Sequence, residues 1–149
     1  MAVATRSRQP SAVARRFGYL AAALCGVAML YLVNVWPGWQ IVPFLSADFP
    51  KVLGLLNFSL GLGVALNAFY AITDPRRWKP AGDLVSTGVG LAVLVRFWQV
   101  FPFDFTGASV DWALLVRALL VLAIVGCAIG LVVQCVALVH ALIRGGGDR

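Results

Sequence analysis

The sequence predicts an all-α integral membrane protein that folds as a bundle of four transmembrane helices. Three observations lead to this prediction. Hydrophobic residues make up 61% of the chain and charged residues only 12%, whereas a soluble domain carries about 25% charged residues. Four apolar runs are each long enough to cross the hydrocarbon core of a bilayer, which takes about 20 helical residues. Proline, glycine and charged residues interrupt the sequence between these runs.

The boundaries of the helices follow from these interruptions. Helices are predicted at residues 17–35, 51–72, 83–101 and 111–143. The first run ends at VNVWPGW without a small-residue cleavage site, so we interpret it as a retained anchor and not as a signal peptide. Residues 1–16 are predicted to be a disordered basic tail, residues 17–143 the transmembrane domain, and residues 144–149 a second tail.

Positive charge is concentrated at one end of the predicted bundle. The tails and the turn between the second and third helices hold most of it: Arg6, Arg8, Arg15, Arg16, Arg76, Arg77, Lys79, Arg144 and Arg149. Lys51 is the only such residue in the connectors at the opposite end. Because loops rich in Lys and Arg stay in the cytoplasm, the sequence predicts a multi-pass cell-membrane protein with both termini cytoplasmic.

The net charge of +6 has two possible origins, nucleic-acid binding or the charge bias of membrane proteins. We attribute it to the second, and we expect no nucleic-acid partner. The bilayer itself is the predicted environment, and the basic N-terminal tail suits anionic lipid headgroups. A membrane protein partner or a second copy of the chain is also possible.

Polar residues inside the predicted spans suggest one cluster. Arg96 lies inside the third helix, Asn57 lies at a similar predicted depth on the second, and Gln99 lies one turn along from Arg96. The counter-ions available on the same side of the membrane are Asp48, Asp104 and Asp111. We therefore expect a polar cluster of Arg96 with Asn57, Gln99 and one of these aspartates. A buried clamp that fixes helix register is the favoured interpretation, and a solute site is the alternative.

Small residues form a stripe on each predicted helix. Close backbone approach at such residues brings helices together in lipid, where apolar burial cannot. The second helix contributes Gly54 and Gly61, and the fourth contributes Gly126 and Gly130 in a GxxxG pattern. We interpret these glycines as packing positions within the chain. The alternative is that they form a seam between two copies.

The residues do not favour catalysis. The chain has one histidine, no glutamate and three cysteines, Cys25, Cys127 and Cys135, that all lie within apolar runs. Neither a nucleophile with a base nor a set of metal ligands is evident, so we expect no enzyme, no metal site and no cofactor. The predicted function is that of a non-catalytic accessory, assembly or scaffold component of a membrane complex. The alternative is a small oligomeric transporter or channel with a polar site around Arg96 and Asn57.

The chain also resembles a family of small four-span proteins predicted in high-GC Gram-positive bacteria. The stretches that carry the resemblance are YLVNVWPGW, VPFLSADFPKVLGLLN, DPRRWK, GDLVSTGVGLAVLVRFWQVFPFDF and DWALLVRALL. The resemblance covers about residues 19 to 142 and leaves out both tails. It implies the same four-span topology, and it brings no activity and no catalytic or binding residue with it.

Overall fold

The computed structural model describes residues 12–73, 78–107 and 111–145. Four α-helices make up most of it: α1 (Ala12–Asn34), α2 (Pro50–Thr73), α3 (Lys79–Val100) and α4 (Trp112–Gly145). Each helix is long and apolar enough to cross a membrane. The predicted all-α fold with four spans is therefore confirmed.

Two helices begin four or more residues earlier than the sequence predicts. α1 starts at Ala12 and not at residue 17, because alanine favours helix and the tail residues 12–16 continue the turn of the apolar run. α3 starts at Lys79 and not at residue 83, because Pro80 fits the first turn of a helix, where its missing N–H is not needed. Residues 1–11 and 146–149 of the predicted tails lie outside the described residues.

Helices that follow one another in the chain pack against one another in antiparallel pairs. Tyr19 of α1 contacts Tyr70 of α2 with ring centroids 5.6 Å apart, and the Gln134 amide of α4 donates to the Thr87 hydroxyl of α3 at 3.2 Å. Within the described ranges, no Cα of α1 lies within 8 Å of a Cα of α4. The bundle is therefore open between its first and last helices.

The two ends of the bundle differ in character. The aromatic end holds the connector 35–49 between α1 and α2 and residues 101–107 after α3. The basic end holds the end of α2, the start of α3, the start of α1 and the end of α4. The N-terminal and C-terminal helices thus begin and end at the same end of the bundle, as the four-span prediction requires.

Two glycines allow the closest approach between helices. A Cβ on Gly26 would lie 2.6 Å from Cγ2 of Val64, so α1 and α2 meet there with no room for a side chain. A Cβ on Gly82 would collide with the hydroxyl of Tyr70 and would lie 3.3 Å from Cδ2 of Leu66. Close packing in this chain therefore depends on Gly26 and Gly82.

The four glycines predicted as packing positions do not serve that purpose within the chain. At Gly54, Gly61, Gly126 and Gly130, no atom lies within 4 Å of the position that a Cβ would take. A stripe of small residues shows that a helix face permits close approach, but the rotation of the helix decides whether a neighbour lies there. The prediction of intramolecular close packing was wrong at these positions.

Candidate functional site at the aromatic end

The two connectors at the aromatic end are joined by backbone hydrogen bonds. The N–H of Ser46 donates to the carbonyl of Pro102, and the N–H of Asp104 donates to the carbonyl of Phe44, both at 3.0 Å. Leu45 and Phe103 form an antiparallel bridge between these bonds. The connectors therefore form one hydrogen-bonded unit, although more than fifty residues of chain separate them.

A continuous chain of aromatic rings supports this unit. The ring centroids of successive members lie between 5.4 and 6.2 Å apart, in the order Trp39, Phe49, Phe97, Phe103, Phe105 and Phe44. Aromatic pairs at such distances stabilise by about 0.5–1.5 kcal/mol beyond their buried area. The chain links both connectors to α3 and gives the aromatic end a fixed shape, which we call the aromatic platform.

Phe101 marks a strained point in the platform. It ends α3 with a φ of 42° in the left-handed region, directly before Pro102, where a bulky side chain is unfavourable. The guanidinium carbon of Arg117 lies 4.2 Å from the centroid of the Phe101 ring and 5.5 Å from that of Trp98. These cation–π contacts join α4 to the end of α3 and hold Phe101 in place.

A cavity of about 570 Å³ opens between the connectors and the first turns of α4. Its aromatic walls include Phe44, Phe103, Phe105 and Trp112. Asp104 and Thr106 are the lining residues with oxygen-bearing side chains. This volume lies within the range of about 300–1,000 Å³ that is typical of sites for small ligands.

Asp104 brings a negative charge to the cavity. Its Oδ1 accepts a hydrogen bond from the N–H of Thr106 at 3.0 Å. The hydrogen bonds with the Thr106 backbone and side chain lower the pKa of this exposed carboxyl, and slight desolvation opposes them. A lowered pKa keeps the carboxylate ionised at neutral pH. In the part of the chain that the structure describes, no Lys or Arg forms an ion pair with it.

The polar cluster predicted around Arg96 is not formed. Arg96 is exposed, and it has no hydrogen bond or ion pair with any described residue. From the start of α3 at Lys79, Arg96 lies about 26 Å along the axis at about 1.5 Å per residue. It therefore lies near the far boundary of a core about 30 Å thick, where a long side chain reaches the headgroups without a buried partner.

The other members of the predicted cluster have separate environments. Asp48 pairs with Lys51 at 2.6 Å on the α2 side, and Asp111 accepts the N–H of Leu114 at 3.0 Å at the start of α4. Gln99 is exposed at the end of α3. Local partners satisfy these aspartates, so none of them is drawn toward Arg96.

Asn57 instead pairs with Asn34 across α1 and α2. The Asn34 amide nitrogen donates to Asn57 Oδ1 at 2.8 Å, and the Asn57 amide nitrogen donates to Asn34 Oδ1 at 2.7 Å. Asn34 also donates to the carbonyl of Leu30 at 2.8 Å. The sequence analysis did not predict this pair, because Asn34 lies at a helix end, where water can satisfy an amide. The pattern that could have indicated the pair is the presence of two amides on consecutive antiparallel helices.

Single replacement of either asparagine by leucine is expected to destabilise the bundle by about 1 kcal/mol, because each removes both amide–amide hydrogen bonds between α1 and α2. The double variant Asn34→Leu with Asn57→Leu should cost less than the sum of the two. Thermal unfolding in detergent micelles, followed by circular dichroism, gives the coupling. Strictly additive costs would show that the two amides do not interact.

Replacement of Arg96 by glutamine is expected to change the free energy of unfolding by less than about 0.5 kcal/mol, as for an ordinary surface site. The reason is that no described partner loses a contact. Replacement of Arg117 by glutamine is the comparison, because it removes two cation–π contacts and should cost about 1 kcal/mol. The same thermal unfolding experiment measures both variants. A larger loss of stability for Arg96→Gln than for Arg117→Gln would contradict the conclusion that Arg96 has no partner among the described residues.

A second group of interacting side chains lies at the basic end. The Lys79 ammonium pairs with the Asp83 carboxylate and lies 5.9 Å and 5.6 Å from the ring centroids of Tyr19 and Tyr70. The Tyr70 hydroxyl donates to the Lys79 carbonyl at 3.3 Å. These contacts join α1, α2 and α3, and they explain how Lys79 can begin a helix beside two aromatic rings.

Comparison with known proteins found no relative of this chain, because no family model, curated protein or solved structure matches it. The geometry of the aromatic platform and its cavity is therefore the basis of the functional interpretation.

Proposed function

We propose that this chain is a non-catalytic, multi-pass component of a cell-membrane complex, of the accessory, assembly or scaffold type. The observation that supports it best is the aromatic platform, in which hydrogen bonds and stacked rings hold two distant connectors together. A preformed surface binds a partner without a large ordering cost. Aromatic side chains are also enriched in the cores of protein interfaces. On this proposal both termini are cytoplasmic and the platform faces outward.

The partner contact is assigned to the rim of the platform on the connector after α1. Val35, Trp36 and Ile41 expose 64%, 68% and 66% of their surfaces there, outside the ring chain. Large apolar side chains that cluster on an irregular segment are candidates for interface hot spots, and Trp is among the residues most enriched in them. The proposed contact therefore does not use the cavity or Asp104.

The structure gives no support to the polar site on which the transporter alternative was based. It required a polar site around Arg96 and Asn57, but Asn57 is paired with Asn34 and Arg96 lies apart from it. No observation in the described residues favours a solute pathway in its place.

The proposal is tested by affinity purification of the tagged protein from native membranes in mild detergent. A defined partner should co-purify with the wild type, and the variant Trp36→Ala with Ile41→Ala should retain about tenfold less of it. Trp78→Ala is the matched control, because Trp78 is an equally exposed Trp (73%) at the opposite end. Purification without any stoichiometric partner, or equal loss in the control, would overturn the proposal.

A further inference from the structure

We propose that the cavity beside the platform binds the ammonium headgroup of a bilayer phospholipid, with the aromatic walls around the cation and Asp104 as its counter-charge. The inference goes beyond the proposed function, because it concerns a lipid and not the protein partner. It also uses residues that are separate from the exposed rim.

The walls fit a cation with an apolar shell. Phe44, Phe105 and Phe103 form a stack with interplanar angles of 17° and 9°, and Trp112 at the start of α4 also lines the cavity. Ammonium and quaternary ammonium groups bind among aromatic rings because the ring faces carry negative potential. An anionic headgroup would meet the Asp104 carboxylate in the lining, which has the same sign of charge.

The negative charge of the cavity also favours a positively charged ligand. Among the described aspartates, Asp48 and Asp83 each have a lysine partner, whereas Asp104 and Asp111 each accept a backbone N–H and have no lysine or arginine partner among the described residues. Of these two, Asp104 lines the cavity. A positive group in the cavity would supply the counter-charge that Asp104 lacks among the described residues.

The position of the cavity favours a lipid as the source of that group. α3 spans Lys79–Val100, about 32 Å at about 1.5 Å per residue, which matches the hydrocarbon thickness of about 30 Å. The lining residues Phe103 to Thr106 come directly after its end, so the cavity lies at the level of the headgroups. Its volume of about 570 Å³ accommodates a headgroup and leaves room for the first part of a chain.

The test is native mass spectrometry of the purified full-length protein, equilibrated with equimolar phosphatidylethanolamine and phosphatidylglycerol in detergent. The wild type should retain phosphatidylethanolamine preferentially, and Asp104→Asn should bind it about tenfold less tightly, since the substitution removes the counter-charge of the ammonium group. Asp48→Asn is the matched control, because it removes the same charge from the other connector outside the cavity.

A second variant keeps the test independent of folding. Trp112→Leu removes an aromatic wall at a side chain that is 45% exposed, and it should also reduce retention of phosphatidylethanolamine while thermal unfolding stays close to that of the wild type. Equal retention of phosphatidylglycerol, or no difference between Asp104→Asn and Asp48→Asn, would overturn the inference. Binding of free choline together with no retention of phosphatidylethanolamine would overturn the assignment to a lipid.

Discussion

Replacement of Gly82 by alanine is expected to destabilise the bundle by about 3 kcal/mol, at the upper end of what overpacking costs. The new methyl group would collide with the Tyr70 hydroxyl and would lie 3.1 Å from Cζ of the same ring. Tyr70 cannot move aside easily, because it is only 4% exposed and its ring is held against Tyr19. The collision must therefore separate α2 from α3 at the basic end.

Two variants show whether this collision is the cause. Tyr70→Phe removes the hydroxyl that the methyl group meets, so the double variant with Gly82→Ala should recover most of the lost stability. Gly88→Ala, on the same helix, places its methyl group where no atom lies within 4 Å, and it should be neutral or slightly stabilising. Thermal unfolding in detergent micelles measures all three, and equal effects at Gly82 and Gly88 would exclude the predicted contact.

Replacement of Gly26 by alanine is expected to cost about 2 kcal/mol through the interface of α1 and α2. The added methyl group would lie 2.6 Å from Cγ2 of Val64, and a valine in a helix has one strongly preferred rotamer, so it cannot rotate away without strain. The contact is therefore relieved by α1 and α2 moving apart. Separation of α1 from α2 would also stretch the Asn34–Asn57 hydrogen bonds.

The controls for Gly26 lie in the same two helices. Gly18→Ala introduces the same methyl group into α1 where nothing lies within 4 Å, so it should leave the unfolding temperature unchanged or slightly higher. Val64→Ala creates the missing space, and together with Gly26→Ala it should be more stable than Gly26→Ala alone. If Gly26→Ala unfolds at the same temperature as Gly18→Ala, α1 and α2 do not approach as described.

Most helix boundaries could be predicted because the chain marks them with proline and polar turns. α2 begins at Pro50, and α3 ends directly before Phe101 and Pro102, as expected from the restriction that proline places on its predecessor. The start of α3 was placed too late because Pro80 can end one helix or occupy the first turn of the next. Sequence alone does not distinguish these two uses.

The interactions between helices were harder to predict, for a physical reason. Depth along a helix follows from residue number, but the partner of a side chain also depends on helix rotation, which only the packed structure defines. Asn57 is predicted to belong to the cluster around Arg96, yet its partner is Asn34 on α1 and not Arg96 on α3. The glycine stripes were misassigned for the same reason.

The aromatic platform illustrates a further limit. The sequence predicts aromatic residues at one membrane interface, because amphipathic rings favour the headgroup layer. It gives no indication that Leu45 and Phe103 pair across the two connectors, since neither segment has the alternating pattern of a strand. The cavity depends on that pairing, so it became visible only once both connectors were placed.

Cysteine labelling in intact cells tests the four-span arrangement most directly. With Cys25, Cys127 and Cys135 replaced by serine, a single cysteine is placed at Thr106 of the aromatic end or at Thr73 of the basic end, both of which are exposed. A membrane-impermeant maleimide should label Thr106→Cys in intact cells, and it should label Thr73→Cys only after the cells are permeabilised. Labelling of Thr73→Cys from outside, or equal labelling at both positions before permeabilisation, would contradict a bundle that crosses the membrane four times with its basic end in the cytoplasm.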